Sequence, residues 1–231
     1  MRLTQLPVIT AVLPAVGIHL SYLVAASAGH VPWCIPYLDS CTAISATGRQ
    51  PPESFVFRAT VIPAAVLLMV YWTLSAQWLA ALGSPWRRAN RAMATLGVVA
   101  CIGLLLYATV LGAIGDDHRL LRRVGVAVFF ALTITAQVIL TWQIDALRRR
   151  GAAPVSPAVC RSLGAVCLAV IVVGSGSWVI AGVNDEVHDA IKHAVAWTAT
   201  MLVCLHILVT GRAWGETGFD ARFTVRSAHR E

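Results

Sequence analysis

The chain has 231 residues, of which 58% are apolar, 13% carry charge, and the net charge is +7. A soluble domain carries about 25% charged residues to cover its surface, so a soluble fold, a disordered chain and a coiled coil are excluded. A polytopic membrane protein remains. The basic excess does not point to nucleic acid, because Lys192 is the one lysine and the arginines sit in short clusters between apolar runs, where topology signals lie.

Crossing a hydrocarbon core of ~30 Å takes about 20 apolar helical residues. Six runs qualify, at 6–28, 59–82, 93–114, 124–144, 163–183 and 193–211, and none alternates as a barrel strand does. The first run follows Arg2 and ends at Ala26-Ser27-Ala28, a pattern that also fits a cleaved leader. Its length of ~23 residues, with Pro7, Pro14 and His19 inside, favours a retained span.

The first connection, 29–58, is the longest. It holds Asp39, and Cys34 and Cys41, which on an oxidising side are placed either to bridge or to stay free. It ends on Pro51-Pro52-Glu53, a stop followed by a helix start whose positive end suits the carboxylate. Arg58, so close to hydrocarbon, must pair or snorkel.

After the second run come Arg87, Arg88 and Arg91; after the third, Asp116, Asp117 and His118, then Arg119, Arg122 and Arg123 in a short loop. The fourth run leads to Arg148, Arg149, Arg150 and Arg161 around a Gly/Pro/Ser-containing link. In the fifth, Gly174, Ser175, Gly176 and Ser177 suit close helix packing. Before the sixth, Asp185, Asp189, His193 and Trp197 recur every four residues, one stripe if that helix extends outward, with Asp189 able to hold the His193 imidazole. His19 and His206 lie deeper and read as interhelical hydrogen-bonding residues.

With six spans, twelve arginines fall on the side of the termini against six basic residues on the other. The positive-inside rule therefore puts both termini in the cytoplasm, with Arg119, Arg122 and Arg123 running against the trend. The expected organisation is an all-α, six-helix transmembrane domain over 1–212 and a basic cytoplasmic tail over 213–231. No Walker loop, GxGxxG, GxSxG, HExxH or CxxC is present.

The segment Ile44-Ser45…Gly48…Pro51-Pro52-Glu53…Phe57, together with six helices and both ends cytoplasmic, resembles the DRAM/Sfk/Frag-type membrane proteins. That family includes the damage-regulated autophagy modulators and the Golgi factor that remodels the lipid of GPI anchors. The resemblance implies membrane-lipid biology and points to a His after the third helix and a His, then an aromatic, in the sixth. Here these are His118, His193 and Trp197, and Ala196 stands where the family usually has an acid.

The expected function is binding or remodelling of membrane lipids at the outer leaflet through a polar extracytoplasmic site. A non-catalytic scaffold or regulator, and then a small-solute transporter, are the alternatives. His118, His193 and Asp189 are the candidate catalytic groups. Asp39, Glu53, Arg58 and Trp197 are candidates for holding substrate, Arg58 by a phosphate or carboxylate. The histidines and carboxylates on one face also admit a divalent metal such as zinc. Membrane lipids are the expected partners, in a bacterial inner membrane or, in a eukaryote, an endomembrane or plasma membrane.

Overall fold

The structure is a computed structural model that describes residues 3–220. Arg2 and the tail arginines Arg222, Arg226 and Arg230 lie outside the described residues, and with them most of the expected tail. Among the described residues there are seven helices and no strand: α1 (Gln5–Ser27), α2 (Pro36–Asp39), α3 (Glu53–Ala81), α4 (Arg87–Thr109), α5 (Asp116–Arg149), α6 (Pro157–Val183) and α7 (Asp185–Glu216). All but α2 are long and apolar enough to span a membrane. An even number of spans leaves the ends of α1 and α7 on one face, the terminal face. The long connection between α1 and α3 lies on the opposite, distal face.

Several helices outrun the apolar segments that announce them. α3 begins at Glu53 rather than near 59, α7 begins at Asp185 and ends at Glu216, and α5 includes Arg119, Arg122 and Arg123 in its first turns rather than leaving them in a loop. Apolarity marks only the hydrocarbon layer, whereas a helix continues through the interface as long as its ends are satisfied. At α7, Asn184 accepts a hydrogen bond from the Val187 N–H at 3.0 Å, and Asp185 and Glu186 occupy the first turn. At α6, Ser156 accepts from the Val159 N–H ahead of Pro157. At α5, Asp116 and Asp117 open the helix and Arg148 and Arg149 close it, matching the macrodipole at both ends.

The six long helices close a ring: α1 packs on α3, α3 on α4, α4 on α5, α5 on α6, α6 on α7, and α7 back on α1. Close approach depends on particular glycines. A Cβ on Gly125 would sit 2.7 Å from the Gly103 carbonyl oxygen, and one on Gly103 would sit 2.9 Å from that of Gly125. The α4–α5 hairpin is thus joined backbone to backbone. The small residues of α6 do something different from what their spacing suggests. A Cβ at Gly174 or Gly176 meets nothing within 4 Å, so these glycines pack on no neighbouring helix. Trp178 and Val179 beside them are largely exposed, and α6 turns more of its surface outward than any other span.

On the terminal face an aromatic cluster of Tyr71, Trp78, Trp214 and Phe219 seals the ring, with Trp78 Nε1 donating to Thr217 Oγ1 at 2.9 Å. Asp145 binds both Arg148 and Arg149, and the Arg150 guanidinium lies 4.5 Å from the centre of the Trp86 ring. These arginines have structural partners besides any topological role.

The two sets of glycines predict opposite outcomes. Gly125→Ala should destabilise the protein by about 1–3 kcal/mol, because backbone rather than a flexible side chain must give way. Gly176→Ala should be neutral or slightly stabilising. Thermal unfolding of the two purified variants in one detergent checks this.

Candidate functional site

The distal face is built by the 29–52 connection folding down onto the ring. α1 ends with Gly29 at φ 75°, the left-handed conformation that glycine adopts without a Cβ clash. The chain reverses there, and the His30 N–H donates back to the Ala25 carbonyl at 2.9 Å. This turn delivers the His30 ring to α3, where Nδ1 lies 2.9 Å from Glu53 Oε1. The Glu53 side chain is fully buried and that of His30 is 27% exposed.

The rest of the connection is tied down in sequence. Tyr22 of α1 donates its hydroxyl to the Cys34 carbonyl and accepts from the Cys34 N–H, both at 2.8 Å. Cys34 and Cys41 form a disulfide around α2. Ser40 Oγ accepts from the His193 and Ala194 N–H groups of α7, and Trp197 Nε1 donates to the Thr42 carbonyl at 3.0 Å. Trp197 is fully buried, with the rings of His19, Tyr22 and Tyr37 around it. His19 Nδ1 donates to the Ala15 carbonyl, so its Nε2 is left to accept from the Tyr37 hydroxyl at 2.8 Å.

Beneath this cap lies a cavity of about 570 Å³ inside the ring, a size within the ~300–1,000 Å³ usual for ligand sites. Ala43, Ile44, Ser45 and Arg49 of the cap line its mouth, with Tyr107 of α4 and Arg119, Arg122 and Arg123 of α5. Its shaft is mainly apolar, with Pro14 and Ile18 from α1, Phe57, Val61, Ala64 and Leu68 from α3, Phe129 and Phe130 from α5, and Ala196, Cys204 and Ile207 from α7, and it carries two hydroxyls, Thr10 of α1 and Thr200 of α7. From Phe57 to Leu68 the wall runs roughly 16 Å at ~1.5 Å per residue, about one leaflet of a ~30 Å core. Among the described residues, four arginines and no carboxylate line it.

The residues singled out from the sequence occupy several places. Asp39 accepts from the Ile35 N–H at 2.7 Å and caps α2 on the exposed surface. Glu53 meets His30, not Arg58; Arg58 Nη2 donates to the Leu111 carbonyl at the end of α4. Asp189 turns to Lys192 at 2.7 Å rather than to His193. His118 donates through Nδ1 to the Ile114 carbonyl, and no hydrogen bond or ring contact joins it to His193 among the described residues. His206 reaches Thr141 on α5 at 2.8 Å, the interhelical bond expected of it. Trp197 does not line the cavity, whereas Ala196 does. Nor do three His, Cys, Asp or Glu side chains cluster as metal ligands among the described residues, so the donor set does not fit zinc.

Three features escaped the sequence reading. His30 carried no motif; only the need of a buried Glu53 for a partner could have pointed to it. Arg49 lay in an unremarked turn. Arg119, Arg122 and Arg123 did give a signal, as arginines on the wrong side of the charge count.

The fold and site define a six-span integral membrane protein with a capped cavity in its distal half. The chain belongs to the family described as Frag1/DRAM/Sfk1/Cwh43P N-terminal domain, whose model matches residues 2–213. No curated protein and no solved structure shows a match to it.

The pair beneath the cap makes a direct prediction. His30→Ala leaves a buried carboxylate without its partner and should cost about 3 kcal/mol or more. Glu53→Gln, which keeps a hydrogen-bond acceptor and removes the charge, should cost less, about 1–2 kcal/mol. Unfolding midpoints of the two variants and the double variant give the coupling.

Proposed function

We propose that this protein binds or remodels membrane lipids at the outer leaflet, through the cavity under the distal cap. The observation that carries the reading is the shape and chemistry of that cavity: a mainly apolar shaft about one leaflet deep, lined by α1, α3, α4, α5 and α7, with basic groups and the cap at one end. A soluble metabolite would not be matched by such a shaft, whereas an acyl chain would. Family membership supports a lipid role in general terms, and the six apolar helices place the chain in the bilayer.

The assignment of the distal face to the outside rests on charge and chemistry. The terminal face holds the larger share of the arginines. The Cys34–Cys41 disulfide belongs to the distal cap, and disulfides persist on oxidising sides of membranes. A remodelling step would call on a base at this face. His30, oriented by a buried carboxylate, has the arrangement of one, and His118 and His193 stand on the same face as further bases.

Two measurements follow. Reporter fusions inserted after Gln50 and at the C-terminus should label opposite sides of the membrane; labelling on one side contradicts the orientation. Lipid extracted from protein purified in mild detergent should contain a near-stoichiometric phospholipid or glycolipid. That lipid should fall at least about tenfold in Ala64→Phe, which fills the shaft, while the variant's unfolding midpoint stays near that of the wild type. Equal lipid in both proteins would put that lipid outside the shaft, and no lipid in either would favour a scaffold that holds none.

A further inference from the structure

The cavity's rim carries more information than its shaft. Arginine on the non-cytoplasmic side weakens the topology signal, yet Arg49, Arg119, Arg122 and Arg123 all converge on one mouth. Two of them have partners that account for them. Arg122 Nη1 donates to the Ala113 carbonyl at 2.7 Å and, more weakly, to that of Val110, closing the end of α4. Arg119 lies 3.5 Å from Asp116 in an exposed pair, worth little by itself. Arg49 and Arg123 have no carboxylate within ion-pair distance and no side-chain hydrogen bond among the described residues. Both are exposed, so their charge is open to solvent and to a ligand at the mouth.

We infer that the cavity selects a single lipid with a net-negative phosphate headgroup, its phosphate held between Arg49 and Arg123 and one acyl chain lying in the shaft. This deepens the proposed function and rests on it. Guanidinium groups match a phosphate with paired, charge-assisted hydrogen bonds. Tyr107 and Ser45 at the same level supply neutral hydroxyls for the remaining oxygens. Among the described residues no carboxylate lines the mouth to pair with a choline or ethanolamine cation. A zwitterionic lipid therefore brings its phosphate at the cost of placing its cation among arginines. A phosphate esterified to an uncharged alcohol, such as glycerol or an inositol, has no such conflict. Free phosphate lacks the chain that fills the shaft.

The test uses the full chain in mild detergent and native mass spectrometry with three probes: palmitoyl-oleoyl phosphatidylglycerol, phosphatidylcholine with the same chains, and inorganic phosphate. Phosphatidylglycerol should bind one molecule per chain, at least about tenfold tighter than phosphatidylcholine, which is ~1.4 kcal/mol, with inorganic phosphate far weaker than either. The double variant Arg49→Gln/Arg123→Gln should lose that preference while still binding one phosphatidylcholine. Arg49→Lys/Arg123→Lys should keep only part of it, since the charge is retained and the paired guanidinium hydrogen bonds are lost. Ala64→Phe should lose both lipids. Equal affinity for the two lipids in the wild type, or an undiminished preference in the glutamine variant, overturns the headgroup assignment and leaves the lipid-binding reading standing. Binding of both lipids by Ala64→Phe as by the wild type overturns the cavity as the site, and the proposed function with it. Inorganic phosphate binding as tightly as phosphatidylglycerol would make the rim a phosphate site without a lipid.

Discussion

The end of α4 is where the distal half of the molecule is decided. A helix finishing near the membrane interface leaves carbonyls that neither its own turns nor bulk water fully satisfy. Here Arg58 reaches across from α3 to the Leu111 carbonyl and Arg122 from α5 to those of Val110 and Ala113. Gly112, at φ 91°, lets the chain turn between them, and the Arg49 carbonyl closes against it, leaving no room for a Cβ. Two guanidinium groups thereby bind three helices at one point and bring the cap's basic turn to the same level. The mouth of the cavity follows from that junction: α5 cannot place Arg122 on those carbonyls without presenting Arg119 and Arg123 beside it.

The cap depends on a second set of satisfied groups. Its backbone lies over a protein interior, where an unpaired N–H or C=O is expensive. Side chains of two helices supply partners to that backbone, Tyr22 from α1 and Trp197 from α7, while Glu53 of α3 holds the His30 ring. The aromatic cage around Trp197 adds packing to the hydrogen bond. A cap held in this way can keep a hollow ring from collapsing, because its position does not depend on filling the space beneath. Toward the terminal face Tyr71, Trp78, Trp214 and Phe219 pack ring against ring where the distal half has its cavity. The two ends of the molecule therefore differ along the membrane normal.

The number of spans, their order and the helical extension of Asp185 through Trp197 were legible in the sequence, since each depends on hydropathy and on a spacing of four. The roles of individual polar residues were not. Their sequence positions mark Glu53 as a helix-start carboxylate and Arg58 as an arginine that must pair or snorkel, and name no partner for either. Burial sets their partners: His30 is delivered by a glycine turn 23 residues earlier, and Leu111 lies 53 residues later. Asp189 and His193 share a face, but Lys192 offers the carboxylate a full charge at closer reach. The α6 glycines show the limit of motif reasoning in another way, since spacing suited to a helix contact does not say which helices meet. The one anomaly that sequence did expose, arginines against the topological trend, marked the rim of the cavity.

A lipid chain housed in the hollow end of the ring is within reach of photo-crosslinking. A phospholipid bearing a diazirine near the end of one acyl chain is incorporated into bilayers containing the protein, irradiated, and the labelled peptides are mapped. Labelling is expected at the foot of the shaft, at Leu68, Cys204 or Ile207, and should be lost in Ala64→Phe. Labelling confined to outward-facing residues such as Val12, Val66 or Val172, unchanged by that substitution, would contradict a chain in the shaft.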